Sequence, residues 1–161
     1  MTTRRTITAL AASFALLAMG AALAGAGEAA DEARKLETYR ASARLFDSAA
    51  AAARRGDTEA AMRGYASAIE ADPSFVEAMV NLARLGIDAA EGDEDLAAAR
   101  HWLDRAEQVR PDYPKIAATR ALLAVREGDT AAALEAIDHA HRLAPDDVEI
   151  AVNYGALLIQ R

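Results

Sequence analysis

The sequence predicts an all-α solenoid of antiparallel helix pairs, on three observations. The stretch GDTEAAMRGYASAIEADPSF at 56–75 returns 72 residues later as GDTAAALEAIDHAHRLAPDD at 128–147. Three Gly-Asp pairs (Gly56-Asp57, Gly92-Asp93, Gly128-Asp129) alternate with three prolines (Pro73, Pro111, Pro145), giving Gly-to-Pro distances of 17, 19 and 17 and Pro-to-Gly distances of 19 and 17. The composition is 53% apolar but only 5% aromatic, because alanine dominates, and alanine has the highest helix propensity at no side-chain entropy cost.

Each punctuation mark has a physical meaning. Glycine tolerates the left-handed conformation that closes a helix, and the aspartate after it accepts from the orphan N–H groups of the next one. Acids such as Glu59 and Glu94-Asp95 follow, complementing the positive end of the helix dipole. Proline then stops the second helix of each pair. The underlying period is 34 residues, stretched once to 38. Helix, tight turn, helix and proline at that period describe stacked helix hairpins.

Residue by residue, the pattern resembles the tetratricopeptide repeat (TPR). The second repeat opens with VEAMVNLARLG, where Asn81-Leu82-Ala83 stands at the family's Asn-Leu-Gly and Gly86 where an aromatic is usual, and it continues with Ala99, Leu103, Ala106 and Pro111. The first supplies Ala61, Tyr65, Ala68 and Pro73, with Ser48-Ala49 at the Leu-Gly pair; the third supplies Ala133, Ile137, Ala140 and Pro145, with Arg120-Ala121 there. VEIAVNYGALL places Asn153-Tyr154-Gly155 on the same pattern. The resemblance implies a short right-handed TPR solenoid over 42–161, with repeats at 42–75, 76–113 and 114–147 and a C-terminal capping helix at 148–161. That helix is expected from Asp147 to Gln160, over the apolar face of repeat three. Residues 31–55 are read as one long helix, or a cap followed by a helix. Ala61, Ala68, Ala99, Ala106, Ala133 and Ala140 recur seven apart on second helices, where a small side chain lets the paired helix lie close.

The first residues read as export machinery. Arg4 and Arg5 precede an apolar run from Ile7 to Ala24, followed by small-residue cleavage sites (Ala22-Leu23-Ala24 or Ala24-Gly25-Ala26). This is the layout of a secretory signal peptide at 1–24, leaving an N-terminal linker or helical extension at 25–41. Thr3-Arg4-Arg5 also resembles a twin-arginine signal. The alternative is an uncleaved anchor in the inner membrane, since the run of 18 residues lies near the length that spans a bilayer. A periplasmic or secreted mature chain would carry 16 basic against 25 acidic residues.

Chemistry is sparse. The formal charge of −7 argues against a nucleic-acid partner. The lack of cysteine excludes disulfides, thiolate metal sites, thiol nucleophiles and a lipid-modified cysteine. His139 and His141 are two apart on a helix, so they point about 200° away from each other and cannot share a metal; with His101 they are read as solvated. EGDEDL at 91–96 lacks the ligand spacing of a calcium loop. No catalytic residue, metal site or cofactor is expected. Trp102 is expected to fill space between repeats two and three, or to anchor a partner on the convex face.

In the TPR fold the first helices line a concave groove, and the resemblance assigns partner contact to Phe46, Val80, Asn81, Arg84, Ile87, Lys115, Thr119, Leu122, Arg126 and Asn153, with Ala50, Val125 and Val152 beside them. An apolar floor edged by polar donors suits an amphipathic helix or extended segment of another protein. One TPR subclass clamps a C-terminal carboxylate with five polar positions; only Asn81 and Lys115 match it, so no such clamp is expected. The implied function is a non-catalytic scaffold in the bacterial envelope, serving an assembly machine such as a pilus or secretion apparatus. VNYGALL resembles repeats of pilus-assembly TPR lipoproteins, although the lipid-bearing cysteine is missing. The alternative is a membrane-tethered or self-associating structural module. Leu36, Tyr39, Phe46 and Ala50 form a second apolar stripe beside the core stripe Leu45, Ala49 and Ala52, so the first helix is either buried on both sides or paired with another copy as a homodimer.

Overall fold

The computed structural model describes residues 3–159, with side chains from residue 28 onward. Among the described residues there are seven helices and no strand: α1 Thr3–Arg54, α2 Thr58–Ala71, α3 Val76–Ala89, α4 Asp93–Val109, α5 Pro114–Arg126, α6 Thr130–Leu143 and α7 Val148–Ile159. Of the two readings of 31–55, the structure has the single helix, which ends at Arg54. Two compact units divide the chain between Arg40 and Ala41. In the first, residues 28–40 are almost wholly exposed, with ion pairs Asp31–Arg34 and Glu32–Lys35 one turn apart, both at 3.6 Å. Among the described residues no helix is long and apolar enough to cross a membrane. The run Ile7–Ala24, on which the signal and anchor readings rest, lies outside the described side chains.

The second unit begins in the last turns of α1 and runs as helix hairpins, α3 against α4 and α5 against α6, with α7 on α6 and the first helices α3 and α5 side by side. The all-α repeat architecture is the one the sequence predicts. Its turns follow the glycine-aspartate chemistry at two of three places. Gly56 and Gly128 both sit at φ +79°, the left-handed conformation that L side chains rarely adopt. Asp57 accepts from the Ala60 N–H at 3.0 Å and Asp129 from the Ala132 N–H at 2.9 Å, caps worth about 1 kcal/mol each. The middle turn differs. Gly92 is extended (φ −163°) and is itself the N-cap, and Asp93 is the first helical residue. Asp95 instead accepts from the Glu91 N–H at 3.0 Å. This turn, three residues long like the other two, reverses the chain without a left-handed residue.

The core is built from alanine and aliphatic side chains. Tyr65, Met79, Ile87 and Leu103 belong to one buried cluster spanning α1 to α5. Ala117, Ala121, Ile137, Ala140 and Ile150 form a second one beneath α7. Helix α5 joins them, since Ile116 and Leu123 lie in the first cluster and Ala117 and Ala121 in the second. Asp147 accepts from the Ile150 N–H at 3.2 Å, starting α7 where expected. Trp102 faces backward rather than forward: it shares a cavity with Met62 of α2 and Leu82 and Gly86 of α3, and Arg105 lies 5.0 Å over its ring. It therefore fills space beside repeat one, not between repeats two and three.

Two mid-helix glycines separate close packing from idle space. A Cβ on Gly64 would lie 2.7 Å from Ala49 Cβ and 3.2 Å from its Cα, so α1 and α2 would have to part. A Cβ on Gly86 would meet only Ala99 Cβ, at an ordinary 3.9 Å. Urea unfolding should show Gly64→Ala losing about 1–3 kcal/mol, while Gly86→Ala is neutral or gains up to about 1 kcal/mol in helix propensity. Equal effects at the two positions would contradict the close contact.

Candidate binding groove

The repeat register puts equivalent residues of α3, α5 and α7 on one face. Asn81, Thr119 and Asn153 occupy the same repeat position, as do Glu77, Lys115 and Glu149, and then Arg84, Leu122 and Ala156. Two adjoining concavities, of about 320 and 180 Å³, open along these helices and share Arg84, Ala118, Thr119, Glu149 and Asn153. The floor is apolar at the α5–α7 end, where Ala118, Leu122, Val125, Ala156 and Leu157 line it. It becomes polar toward α3, where Arg84 and Asp88 stand 4.0 Å apart. The Arg84–Leu122–Ala156 series thus grades the groove from cationic to apolar.

Most rim donors are already engaged within the chain. Asn81 Nδ2 donates to the Glu77 carbonyl at 2.8 Å, and Thr119 Oγ1 to the Lys115 carbonyl at 2.7 Å, each one turn back on its own helix. Lys115 Nζ bonds Glu149 at 3.1 Å, and Arg110 bonds Glu77 at 2.6 Å while lying 4.0 Å over the Tyr113 ring. The Glu149 hydrogen bond holds the Lys115 ammonium above its ordinary pKa, against the opposing effect of partial burial. Burial, reinforced by Glu77, pushes the Tyr113 hydroxyl up, and burial does the same for Tyr65.

Of the ten residues assigned to the groove, Val80, Asn81, Arg84, Lys115, Thr119, Leu122 and Asn153 line these concavities. Val80 and Thr119 are buried in its wall, and Asn153 is exposed. The other three lie elsewhere. Phe46 packs against Tyr65 and Phe75, with ring centroids 5.3 and 5.1 Å apart; Ile87 is fully buried; Arg126 donates to the Ala90 carbonyl at 2.9 Å. Val152 lines neither concavity. Asp88, Ala118, Glu149, Ala156 and Leu157 were missed, although carrying the register of Asn81, Thr119 and Asn153 one turn further would have found Ala156 and Glu149. Tyr113, from a loop, has no periodic signal.

A larger concavity of about 450 Å³ lies between α4, α5 and α6 and holds Arg100, Arg120 and Arg142. Each of these arginines is committed: Arg100 to Glu127, Arg120 to Asp104 and Glu107 at 2.8 and 2.7 Å, and Arg142 to Asp138. It offers no uncompensated cationic cradle. His101 and His139 are exposed, whereas His141 is half-buried beside Tyr154, its ring 5.5 Å away, so the solvated reading fails for that one residue. Among the described residues no cluster of His, Asp and Glu could hold a metal ion.

No family model matches the chain, and comparison with curated proteins gives no match. Solved structures do match. The TPR domain of Arabidopsis OM64 is 18% identical with a TM-score of 0.64, covering 74% of this chain and 96% of that one. The first TPR of Spaghetti (RPAP3), bound to the HSP90 peptide SRMEEVD, is 16% identical with a TM-score of 0.63, covering 74% and 91%. An O-GlcNAc transferase mutant from Thermobaculum terrenum is 21% identical with a TM-score of 0.68, covering 75% of this chain but 22% of that one.

Above about pH 10, Tyr65, Tyr113 and Lys115 keep their protons in the folded chain after the unfolded chain has lost its own. The unfolded state then binds fewer protons, so stability falls as pH rises. Urea melts between neutral and alkaline pH should show this fall, and Tyr113→Phe should make it shallower. Stability that is flat or rising above about pH 10 would contradict these placements.

Proposed function

We propose that this chain, whose fold is that of a tetratricopeptide-repeat domain, is a non-catalytic scaffold that holds an apolar segment of another protein in the groove between α3, α5 and α7. The supporting observation is the solvent-open floor of Leu122, Val125, Ala156 and Leu157, bordered by Asn153 and the Lys115–Glu149 pair. Such a floor favours the apolar stripe of an amphipathic helix, with polar groups of the ligand toward Arg84. An acidic peptide like the HSP90 peptide SRMEEVD bound by the RPAP3 domain is disfavoured. Lys115 is neutralised by Glu149, and Phe46 stands in an aromatic cluster where a clamp needs a polar side chain.

The setting we propose is the bacterial envelope, in the assembly of a machine such as a pilus or secretion apparatus. Support comes from the basic start, apolar run and small-residue cleavage sites of 1–24. One experiment addresses ligand and setting together. A photocrosslinking residue replaces Val125 in the groove, or Ala97 on an exposed stretch of α4, in cells carrying the full chain. We expect the Val125 position alone to capture a discrete partner, Leu122→Glu to abolish capture with helicity intact, and the captured chain to begin near residue 25. Capture from Ala97 alone, or capture that survives Leu122→Glu, would refute groove binding; an intact N-terminus would refute export with cleavage.

A further inference from the structure

The cavity that Trp102 lines between α2, α3 and α4 measures about 350 Å³ and shares no lining residue with the groove. That volume lies within the range of small-molecule pockets, about 300–1,000 Å³. Met62 and Leu82 supply more of its apolar wall, and Gly86 leaves its floor open, since a Cβ there would meet only Ala99 Cβ, at 3.9 Å. The repeat register puts Ala124 of α5 and Leu158 of α7 at the equivalent positions, so among these three helices the missing side chain is particular to α3. Two carboxylates, Glu91 and Asp95, line the cavity, and no basic residue does. Both residues are exposed, and Asp95 accepts from the Glu91 N–H at 3.0 Å. Among the described residues neither carboxylate is in an ion pair. In the groove, by contrast, Arg84 is paired with Asp88 and Lys115 with Glu149. Arg105 lies 5.0 Å over the Trp102 ring without lining the cavity, and it donates to the Pro73 carbonyl at 3.4 Å.

An aromatic wall beside unpaired carboxylates selects for a cation carried on an apolar body. Indole is the strongest cation–π partner among side chains. The carboxylates attract an ammonium and repel an anion, and the formal charge of −7 adds a field of the same sign. Neither half suffices alone. Exposed carboxylates hold a bare cation weakly, and an apolar hollow does not discriminate by charge. We infer that the cavity beside Trp102 is a second binding site, for a small organic ammonium. Its apolar body lies against Trp102, Met62 and Leu82, over the gap at Gly86, and its ammonium is turned toward Glu91 and Asp95. The site is separate from the proposed groove and does not depend on it.

Trp102 is the sole tryptophan of the chain, so its fluorescence reports on this cavity directly. The full chain is titrated with 2-phenylethylammonium, with the neutral 2-phenylethanol and with the anionic 3-phenylpropionate, in about 0.15 M salt so that distant charges are screened. We expect a saturable change in Trp102 emission with the ammonium at a Kd of about 1 mM or below, and binding of the alcohol at least about tenfold weaker. The carboxylate should not bind. Glu91→Gln should weaken the ammonium at least about fivefold and leave the alcohol unchanged. Glu94→Gln, an exposed acid that does not line the cavity, should change neither. Gly86→Leu, which places a side chain in the hollow, should abolish both responses with helicity intact. No saturable response to the ammonium by about 10 mM, equal affinity for ammonium and alcohol, or equal effects of Glu91→Gln and Glu94→Gln would each overturn the inference.

Discussion

The structure depends on how closely two helices can lie, and six alanines set that distance. Ala61, Ala68, Ala99, Ala106, Ala133 and Ala140 stand seven apart on α2, α4 and α6, and none is more than 2% exposed. A methyl group there leaves room for the backbone of the neighbouring first helix, while the larger Tyr65, Leu103 and Ile137 between them fill the remaining space. Gly64 against Ala49 is the same constraint taken to its limit. Once the hairpins are that tight, the register of α3, α5 and α7 follows, and with it the alignment of equivalent side chains along one face. Dispersion and apolar burial hold such hairpins together; with small side chains, each contact contributes little and the sum depends on keeping every one.

Along the groove, the same register produces an alternation of charge at Glu77, Lys115 and Glu149. Each is satisfied by a neighbour rather than left for a ligand. Surface pairs of this kind add little stability, but they remove the net field that would attract a carboxylate. What remains for recognition is shape and the apolar gradient from Arg84 to Ala156.

The architecture was legible because helix stops and starts are chemical, not merely compositional: the two glycines at φ +79° and the capping carboxylates of Asp57 and Asp129 are visible as letters. Gly92 shows the boundary of that legibility. The same dipeptide, placed one residue later in a turn of equal length, reaches the next helix in an extended conformation with the glycine as N-cap, and a motif does not encode its place in the turn. The groove was legible where side chains follow the repeat, as at Asn81, Lys115 and Leu122. Illegible positions were those decided by contacts distant in sequence. Phe46 is taken into an aromatic cluster by Phe75, and Arg126 by the Ala90 carbonyl. Trp102 turns toward α2 and α3, where it lines a concavity with Met62 and Leu82.

Ala106→Leu and Ala140→Leu, compared with Ala97→Leu on the exposed side of α4, test the spacing constraint most directly by urea unfolding. Overpacking at the two buried sites is expected to remove about 1–3 kcal/mol or more, and the exposed substitution to stay within about 0.5 kcal/mol. If leucine were accepted at 106 and 140 as readily as at 97, close approach through small side chains would not be what organises this fold.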